Sequence, residues 1–550
     1  MKEKIKEKFI NKLVRARTTS LSQLLQLKRK FSKEYKAPLL SNITLLAVYR
    51  QMVSKRSIKR IERIEKLLKR REIRTLSGVS VITVLTKPFP CPGKCVYCPS
   101  EKGMPKSYLK NEPAAQRAFL NKFDPYKQVK MRIVALNKTG HPTDKIELII
   151  LGGSWTAYPE KYKAWFVKRL FEAANGRPAS DLPKAQKDNE KARHRIIGLS
   201  VETRPDLVTE KEAWKMRELG ITRLELGIQS IYPEVLRKIK RGHTVEHIVK
   251  ATKILKDFGF KIVYHLMPNL PGSTPAKDLK MFKTIFSDER FQPDMLKIYP
   301  CVVLRTAPLY KSYKQGQFKP YSPKTLNELL VKIKKVVPPY VRINRLIRDI
   351  PGDSIIAGNK ITNLRQLLQD KKVKCQCIRC REAKSKTIEG KDIILVKRQY
   401  YASGGQEIFL SLESKDKKTL YAFLRLRLPQ IYDAQARKPA LGINRMSSSH
   451  PPYPTSQTFQ SAMLSDTALI RELHTYGQSL PLRRRADSQI RSAVQHSGLG
   501  YKLMQEAEKI VRKKSYKKIA VISGIGVREY YRKSGYRLEN TYMAKALINH

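Results

Sequence analysis

Residues 78–100 read GVSVITVLTKPFPCPGKCVYCPS. The first half is short, apolar and rich in β-branched residues, which predicts a strand. The second half places Cys91, Cys95 and Cys98 in the loop that follows that strand. Structural zinc sites recruit four ligands and ferredoxin clusters four cysteines. Here no fourth Cys or His stands close by. A centre held by three thiolates keeps one position for a further ligand, as catalytic metal sites do. The competing reading is a zinc ion.

Downstream the texture repeats. KIELIILGG (145–153), RIIGLSVETRP (195–205), ITRLELGIQS (221–230), KIVYHLMPNL (261–270) and DMLKIYP (294–300) are short apolar runs separated by amphipathic helical stretches. Strands alternating with helices predict βαβ units and a parallel sheet, curled into a full or partial TIM-type barrel. Chemistry in such barrels sits at the carboxyl ends of the strands. Gly152 and Gly153 end the second expected strand, and Glu202 and Arg204 end the third.

At 550 residues two or three domains are expected, and 41% apolar residues provide real cores. Lys and Arg number 111 against 47 Asp and Glu, a net charge of +64. A polyanionic partner accounts for that imbalance, since basic side chains displace counterions from a phosphate backbone. Residues 1–75 read as helices with basic faces, a phosphate-binding segment. Residues 76–320 are the expected barrel. Residues 321–391 are a connector holding CQCIRC (375–380) and the Pro pair of VVPPY (336–340). From 392 to 550 a second domain begins with antiparallel strands. It continues through the strand ALIRELHTYG (468–477), the turn and helix QHSGLGYKLMQEAEKIVRKK (495–514) and the strand KIAVISGIG (518–526). RMSSSHPPYPTSQTFQSAML (445–464) lacks periodicity and reads as a mobile loop. No run is long enough to span a bilayer, and six of seven cysteines fall in two tight groups. A soluble protein of the reducing cytoplasm is expected.

Cys-x3-Cys-x2-Cys with Tyr97 before the last cysteine resembles the radical S-adenosylmethionine (radical SAM) superfamily. That resemblance implies a [4Fe–4S] cluster on Cys91, Cys95 and Cys98, whose open iron chelates S-adenosylmethionine. It further implies that Gly152, Gly153, Glu202 and Arg204 contact that cofactor. Gln495-x-x-Gly498-x-Gly500 resembles the pyrophosphate loop of GNAT acetyltransferases. A Gly-rich turn opening a helix presents free N–H groups to phosphate. The two together resemble the Elongator protein 3 family over residues 75–550, on motifs such as GHPTDKIELIILGG, RLELGIQSIY, HLMPNLPG and KIAVISGIGVREYYRKSGYRLE. The fold class implied is α/β: a radical SAM partial barrel fused to a C-terminal GNAT α+β domain, behind a basic helical segment.

The resemblance assigns acetyl-coenzyme A to Glu472, Leu473, His474 and Thr475 on one strand, and to Gly498, Leu499, Gly500 and Tyr501 at the phosphate loop. Tyr531 would lie near the thioester, with Tyr530 and His474 as further catalytic candidates. Lys145 would contact acetyl-coenzyme A; by residue type alone it reads as a surface lysine before a strand. The implied reaction is carboxymethylation of tRNA wobble uridine at carbon 5, with acetyl-coenzyme A as carbon donor. Expected partners are the tRNA anticodon arm, an electron donor for the cluster, and a second copy of the chain. Cys301, Cys375, Cys377 and Cys380 are expected as a zinc site stapling barrel to connector, or else as buried free thiols. The alternative enzyme is a lysine N-acetyltransferase, which leaves the three-cysteine loop without work. A tRNA-binding scaffold without chemistry would have lost those motifs.

Overall fold

In the computed structural model, which describes residues 2–16, 18–69, 77–361, 363–371, 373–383, 393–429, 466–477 and 498–547, six of the strands lie where the alternation places them. They are β1 (Val79–Leu85), β2 (Lys145–Leu151), β3 (Arg195–Thr203), β4 (Arg223–Gln229), β5 (Lys261–Leu266) and β6 (Met295–Ile298). All pair in parallel and in chain order. The seventh strand, β8 (Arg342–Arg345), pairs in parallel with β6. It lies beyond the boundary expected at 320, so the stretch read as a connector supplies the sheet's last strand. RINR carries too little apolar alternation to signal this. β7 (Val303–Leu304) and β9 (Ile355–Ala357) form a separate antiparallel pair.

The period of two decides what faces where. In β4, Leu224, Leu226 and Ile228 join the core under the helices, while Arg223, Glu225, Gly227 and Gln229 line a cavity on the concave face. In β5, Ile262, Tyr264 and Leu266 face the core, and Lys261 and His265 face the cavity. Every residue of β4 is buried, on the cavity face as well as under the helices. Among the described residues the sheet does not close: β1 and β8 are its two edges.

Four helices precede it: α1 (Lys2–Arg15), α2 (Leu21–Glu34), α3 (Asn42–Ser54) and α4 (Glu62–Leu68). They bury their own core, including Phe9, Phe31, Leu45 and Tyr49, and leave most lysines and arginines outside. A capping box of Ser20 and Gln23 starts α2. Arg50 Nη1 donates to the Asn137 carbonyl at 2.7 Å, tying the bundle to the barrel beside the β1 edge.

The second sheet has seven strands in the order β10-β11-β12-β13-β14-β16-β15. These are β10 (Ile393–Ala402), β11 (Gly405–Ser414), β12 (Leu420–Pro429), β13 (Thr467–Thr475), β14 (Lys518–Val521), β15 (Arg537–Glu539) and β16 (Tyr542–Ala546). β13 and β14 run parallel but pair only over Thr467–Ile470 and Lys518–Val521. Beyond Ile470 they part, so among the described residues one edge of Glu472–Thr475 has no strand neighbour. The helix Leu499–Lys513 starts beside this gap, with Gly498 at φ 73°. The loop 445–464 and Gln495 lie outside the described residues.

Glycines and charges join the two sheets. A Cβ on Gly524 would lie 2.1 Å from the Ile197 carbonyl oxygen, so only glycine permits this contact with β3. Arg471 is fully buried and donates to Asp294 at 3.0 Å, to Glu407 at 2.9 Å and to the Phe260 carbonyl at 2.6 Å. Arg427 bridges Asp257 and Glu407, and Lys256 lies 3.5 Å from Glu407. Asp294, Asp257 and Lys256 belong to the barrel; Arg427, Arg471 and Glu407 belong to the second sheet.

Candidate functional site

β1 carries the chain to the cysteine loop at the carboxyl end of the sheet. Backbone bonds pin this loop: Val96 N–H donates to Ile239 and Ser100 N–H to Thr306. Cys91, Cys95 and Cys98 line one cavity. Cys95 is buried and its thiol meets that of Cys98. The bond from Cys98, and then Arg241, hold Cys95 down at about 5 against the effect of burial. Cys98, protonated in that pair, is pushed up. Cys91 lies toward Tyr158. Among the described residues the three sulfurs do not all meet at one point as the ligands of a single ion would.

Gly152 and Gly153 end β2 at φ 128° and 103°. A Cβ on Gly152 would stand 1.9 Å from Thr86 Oγ1, so the close approach requires glycine. Glu202 accepts from Tyr108 Oη at 2.7 Å and lies 3.7 Å from Lys297 Nζ. Arg204 clasps Asp206 through Nε and Nη2 at 3.0 and 2.9 Å. Its buried Nη1 has no hydrogen-bond partner among the described residues and points at the cysteine loop, where a Cβ on Gly93 would meet it at 2.4 Å. An anionic group bound there would satisfy it.

The same cavity, about 2290 Å³, threads the barrel and opens at the other end of the strands against the second sheet. Glu472, Leu473, His474 and Thr475 line that end, together with Gly498–Tyr501. A Cβ on Gly500 would lie 2.8 Å from Tyr530 Oη and 3.8 Å from both Leu473 and Thr475 side chains. So the helix start, the parted strand and Tyr530 meet at one point. Burial lowers the His474 imidazole to about 4, leaving it neutral, with its ring 4.3 Å from Tyr476. Tyr531 is 6% exposed and Tyr530 41% exposed; both line the cavity. Tyr530, not Tyr531, is the one at the glycine turn. Lys145 opens β2 opposite Arg195 and lines the cavity, and burial lowers its ammonium.

Residues 90–285 match the family model of the radical SAM superfamily, and residues 293–374 that of the radical SAM C-terminal domain. A tRNA uridine(34) acetyltransferase of Methanocaldococcus jannaschii is 45% identical over 484 residues, covering 85% of this chain and 84% of that protein. Elongator complex protein 3 of Homo sapiens is 38% identical over 487 residues, covering 85% of this chain and 84% of that protein. The chain belongs to the Elongator protein 3 family. A solved structure of the archaeal Methanocaldococcus infernus Elp3 with N-terminus deletion (1-46) superposes at TM-score 0.70 with 42% identity, over 86% of this chain and 100% of that one.

The radical SAM domain of an Elongator protein 3 family member implies a [4Fe–4S] cluster and S-adenosylmethionine. Two residues near that centre escaped the sequence reading. Arg241 Nη1 donates to Cys95 Sγ at 3.3 Å, and its Nε to the Gly227 carbonyl. His243 is lowered to about 2 by burial, by Arg241 and by Arg204. Both come from RGHT, whose glycine advertises a turn and whose arginine reads as surface charge.

The four-cysteine zinc expectation needs correction for this family member. Cys375, Cys377 and Cys380 bring their sulfurs within 4.8 Å of one another. Cys301 is not among them. It is buried beyond β6, where Asn269 donates to its carbonyl and burial raises its thiol to about 12. The CQCIRC turn instead packs under β8: the Ile378 N–H donates to the Val341 carbonyl. Hydrogen bonds from Cys375 and Cys380 bring Cys377 down to about 2.

Proposed function

We propose that the chain modifies the wobble uridine of tRNA at carbon 5, using acetyl-coenzyme A as carbon donor in a radical reaction. The observation that carries this reading is the single cavity. It has thiols and cofactor-type glycines at the carboxyl end of the strands, and an open strand edge with a glycine-started helix at the amino end. When bound, the cluster and S-adenosylmethionine supply a 5′-deoxyadenosyl radical. Cys91, Cys95 and Cys98 would hold the cluster. Gly152, Gly153, Glu202 and Arg204 would seat the cofactor, the free Nη1 of Arg204 taking its carboxylate.

The second sheet fits a GNAT domain. The edge of Glu472–Thr475 that has no strand neighbour among the described residues offers backbone groups to an extended pantetheine arm. Gly498 and Gly500 turn the first N–H groups of a 15-residue helix toward a pyrophosphate. β2, seven residues long, spans about 20 Å at about 3.3 Å per residue. A thioester anchored beyond its amino end must therefore reach into the lumen on a flexible arm. Lys145 and Lys261 line that approach. Burial keeps His474 neutral and so free of the charge that would compete for the coenzyme's phosphates.

The third entrance is the open side of the sheet. Arg50, Arg60, Lys66 and Lys69 of the helical bundle border the cavity beside β1. There they would hold phosphates while a splayed base enters. A lysine N-acetyltransferase needs only the second sheet and leaves the barrel lumen unused.

The test is nucleoside mass spectrometry after anaerobic incubation with dithionite, S-adenosylmethionine, methyl-deuterated acetyl-coenzyme A and tRNA. Labelled 5-carboxymethyluridine and deuterated 5′-deoxyadenosine are expected together. Acetylated lysine peptides with unlabelled uridine would sink the reading.

Cys375, Cys377 and Cys380 fit a structural zinc ion, with a fourth ligand outside the acidic, His and Cys groups gathered there among the described residues. Elemental analysis is expected to find about one zinc per chain, lost in Cys377→Ala. Retention of zinc in that variant would count against the site.

A further inference from the structure

We propose that His265, oriented by Glu225, is the general base of the barrel lumen and takes the C5 proton of the target uracil. The inference rests on the uridine reading above and assigns a residue within it. Substitution at C5 removes a hydrogen that must go somewhere. When an acetyl-derived carbon radical adds to C5, the unpaired electron moves to C6. Restoring the C5=C6 bond breaks the C5–H bond. The proton goes to a base, and the electron goes to a one-electron acceptor of the iron–sulfur class. The lumen must therefore hold a base.

His265 lies on β5 opposite Lys297 of β6, between the two mouths, and its side chain lines the cavity. Its Nε2 stands 3.0 Å from Glu225 Oε2. Glu225 is buried; burial opposes its charge, but Lys297, His265 and Arg223 together hold it well below the usual carboxylate range. An ionised carboxylate only accepts, so Nε2 carries the proton and donates. In the neutral ring Nδ1 is then the basic nitrogen, the same carboxylate–imidazole logic that orients histidine bases elsewhere. The other groups facing the ring are Lys297, Glu202 and Tyr299, the last with its ring centre 5.4 Å away.

Competing assignments fail on geometry. Glu202, Glu225 and His265 bring their ligand atoms together as a metal site would. The Lys297 ammonium already binds Glu225 and lies 3.7 Å from Glu202, so the cation's place is filled. Among the other carboxylates lining the cavity, three are tied to arginines: Glu147 to Arg223, Glu472 to Arg425 and Glu112 to Arg348. His474 sits at the thioester mouth, and His194 is bonded to Thr143 through Nδ1.

Two measurements on the full-length chain test this. Nitrogen-15 histidine NMR, with His265→Gln used for assignment, should find Nε2–H and an unprotonated Nδ1 in the wild type. A ring protonated on Nδ1 with bare Nε2 overturns the proposal without recourse to turnover. In the labelled assay, His265→Gln should raise the ratio of 5′-deoxyadenosine to carboxymethyluridine by about 100-fold, the usual loss for a missing general base. An unchanged ratio, with both products falling together, assigns His265 a structural role and overturns the proposal. If the wild type itself makes no modified uridine, the uridine reading has failed, and that result is told apart from a failure of His265 alone.

Discussion

Cys95→Ala is expected to abolish labelled carboxymethyluridine and 5′-deoxyadenosine and to empty the protein of its iron. The proposed centre on Cys91, Cys95 and Cys98 would have three protein ligands with none in reserve, and the loop offers no neighbouring His or Cys as replacement. Cys95 is the buried member, and its sulfur is also the acceptor for Arg241 Nη1. Alanine therefore leaves that guanidinium nitrogen unpaired, at about 1–3 kcal/mol. Cys91→Ala is the companion variant, because Cys91 is only half-buried. It should lose iron and products to the same extent with little change in thermal stability. The pair thus separates loss of chemistry from loss of fold. Acetyl transfer to lysine peptides surviving in both variants, with uridine untouched in the wild type, would favour the acetyltransferase alternative. The readouts are iron content, nucleoside mass spectrometry and thermal unfolding.

What the sequence made legible follows from how each feature is encoded. Six parallel strands announced themselves because a strand covered by helices on its outer face needs apolar residues at alternate positions. The motif residues assigned to the cluster and its cofactor fell at the ends of those strands, where the topology opens the cavity. β8 stayed hidden because four residues with one buried isoleucine do not make a pattern. The parting of β13 from β14 is a property of two strands separated by 42 residues between Thr475 and Lys518, and no local signal reports it. Cys301 looked like a zinc ligand because sequence gives the supply of thiols and not their direction. The Glu225–His265–Lys297 group was invisible for a different reason: its members lie on three consecutive strands and meet only across the sheet. FLRLRLP (423–429) shows a limit of alternation as a guide. A period of two alone would put its arginines outside, yet Arg425 and Arg427 are as buried as their leucine neighbours and meet the barrel's Asp294 and Asp257.

That buried face is where a single substitution should do most damage to the fold. Arg471→Met keeps the length of the side chain and removes its charge. Asp294 and Glu407 then lose their common partner while fully enclosed. Burial works against the charge of Asp294; Arg471, then Lys256 and Arg425, outweigh it and hold the carboxyl well below its ordinary range. Without Arg471, Lys256 is a poor substitute. Burial already lowers its ammonium to about 8, and its Nζ makes no hydrogen bond among the described residues. Breaking a buried pair by removing one partner costs about 3–5 kcal/mol. The half-exposed pair Arg290 and Asp288 provides the comparison, since ion pairs open to solvent are worth about 0–1 kcal/mol. Arg290→Met should leave the urea midpoint close to wild type, and Arg471→Met should shift it clearly downward. Because Arg471 starts the part of β13 that leaves β14, the same variant should also misplace Glu472–Thr475. Acetyl-coenzyme A binding, followed by calorimetry, should weaken along with stability. Equal midpoints for the two variants would mean that the sheets are held together by their apolar contacts and the glycine approach at Ile197, with the charges contributing little.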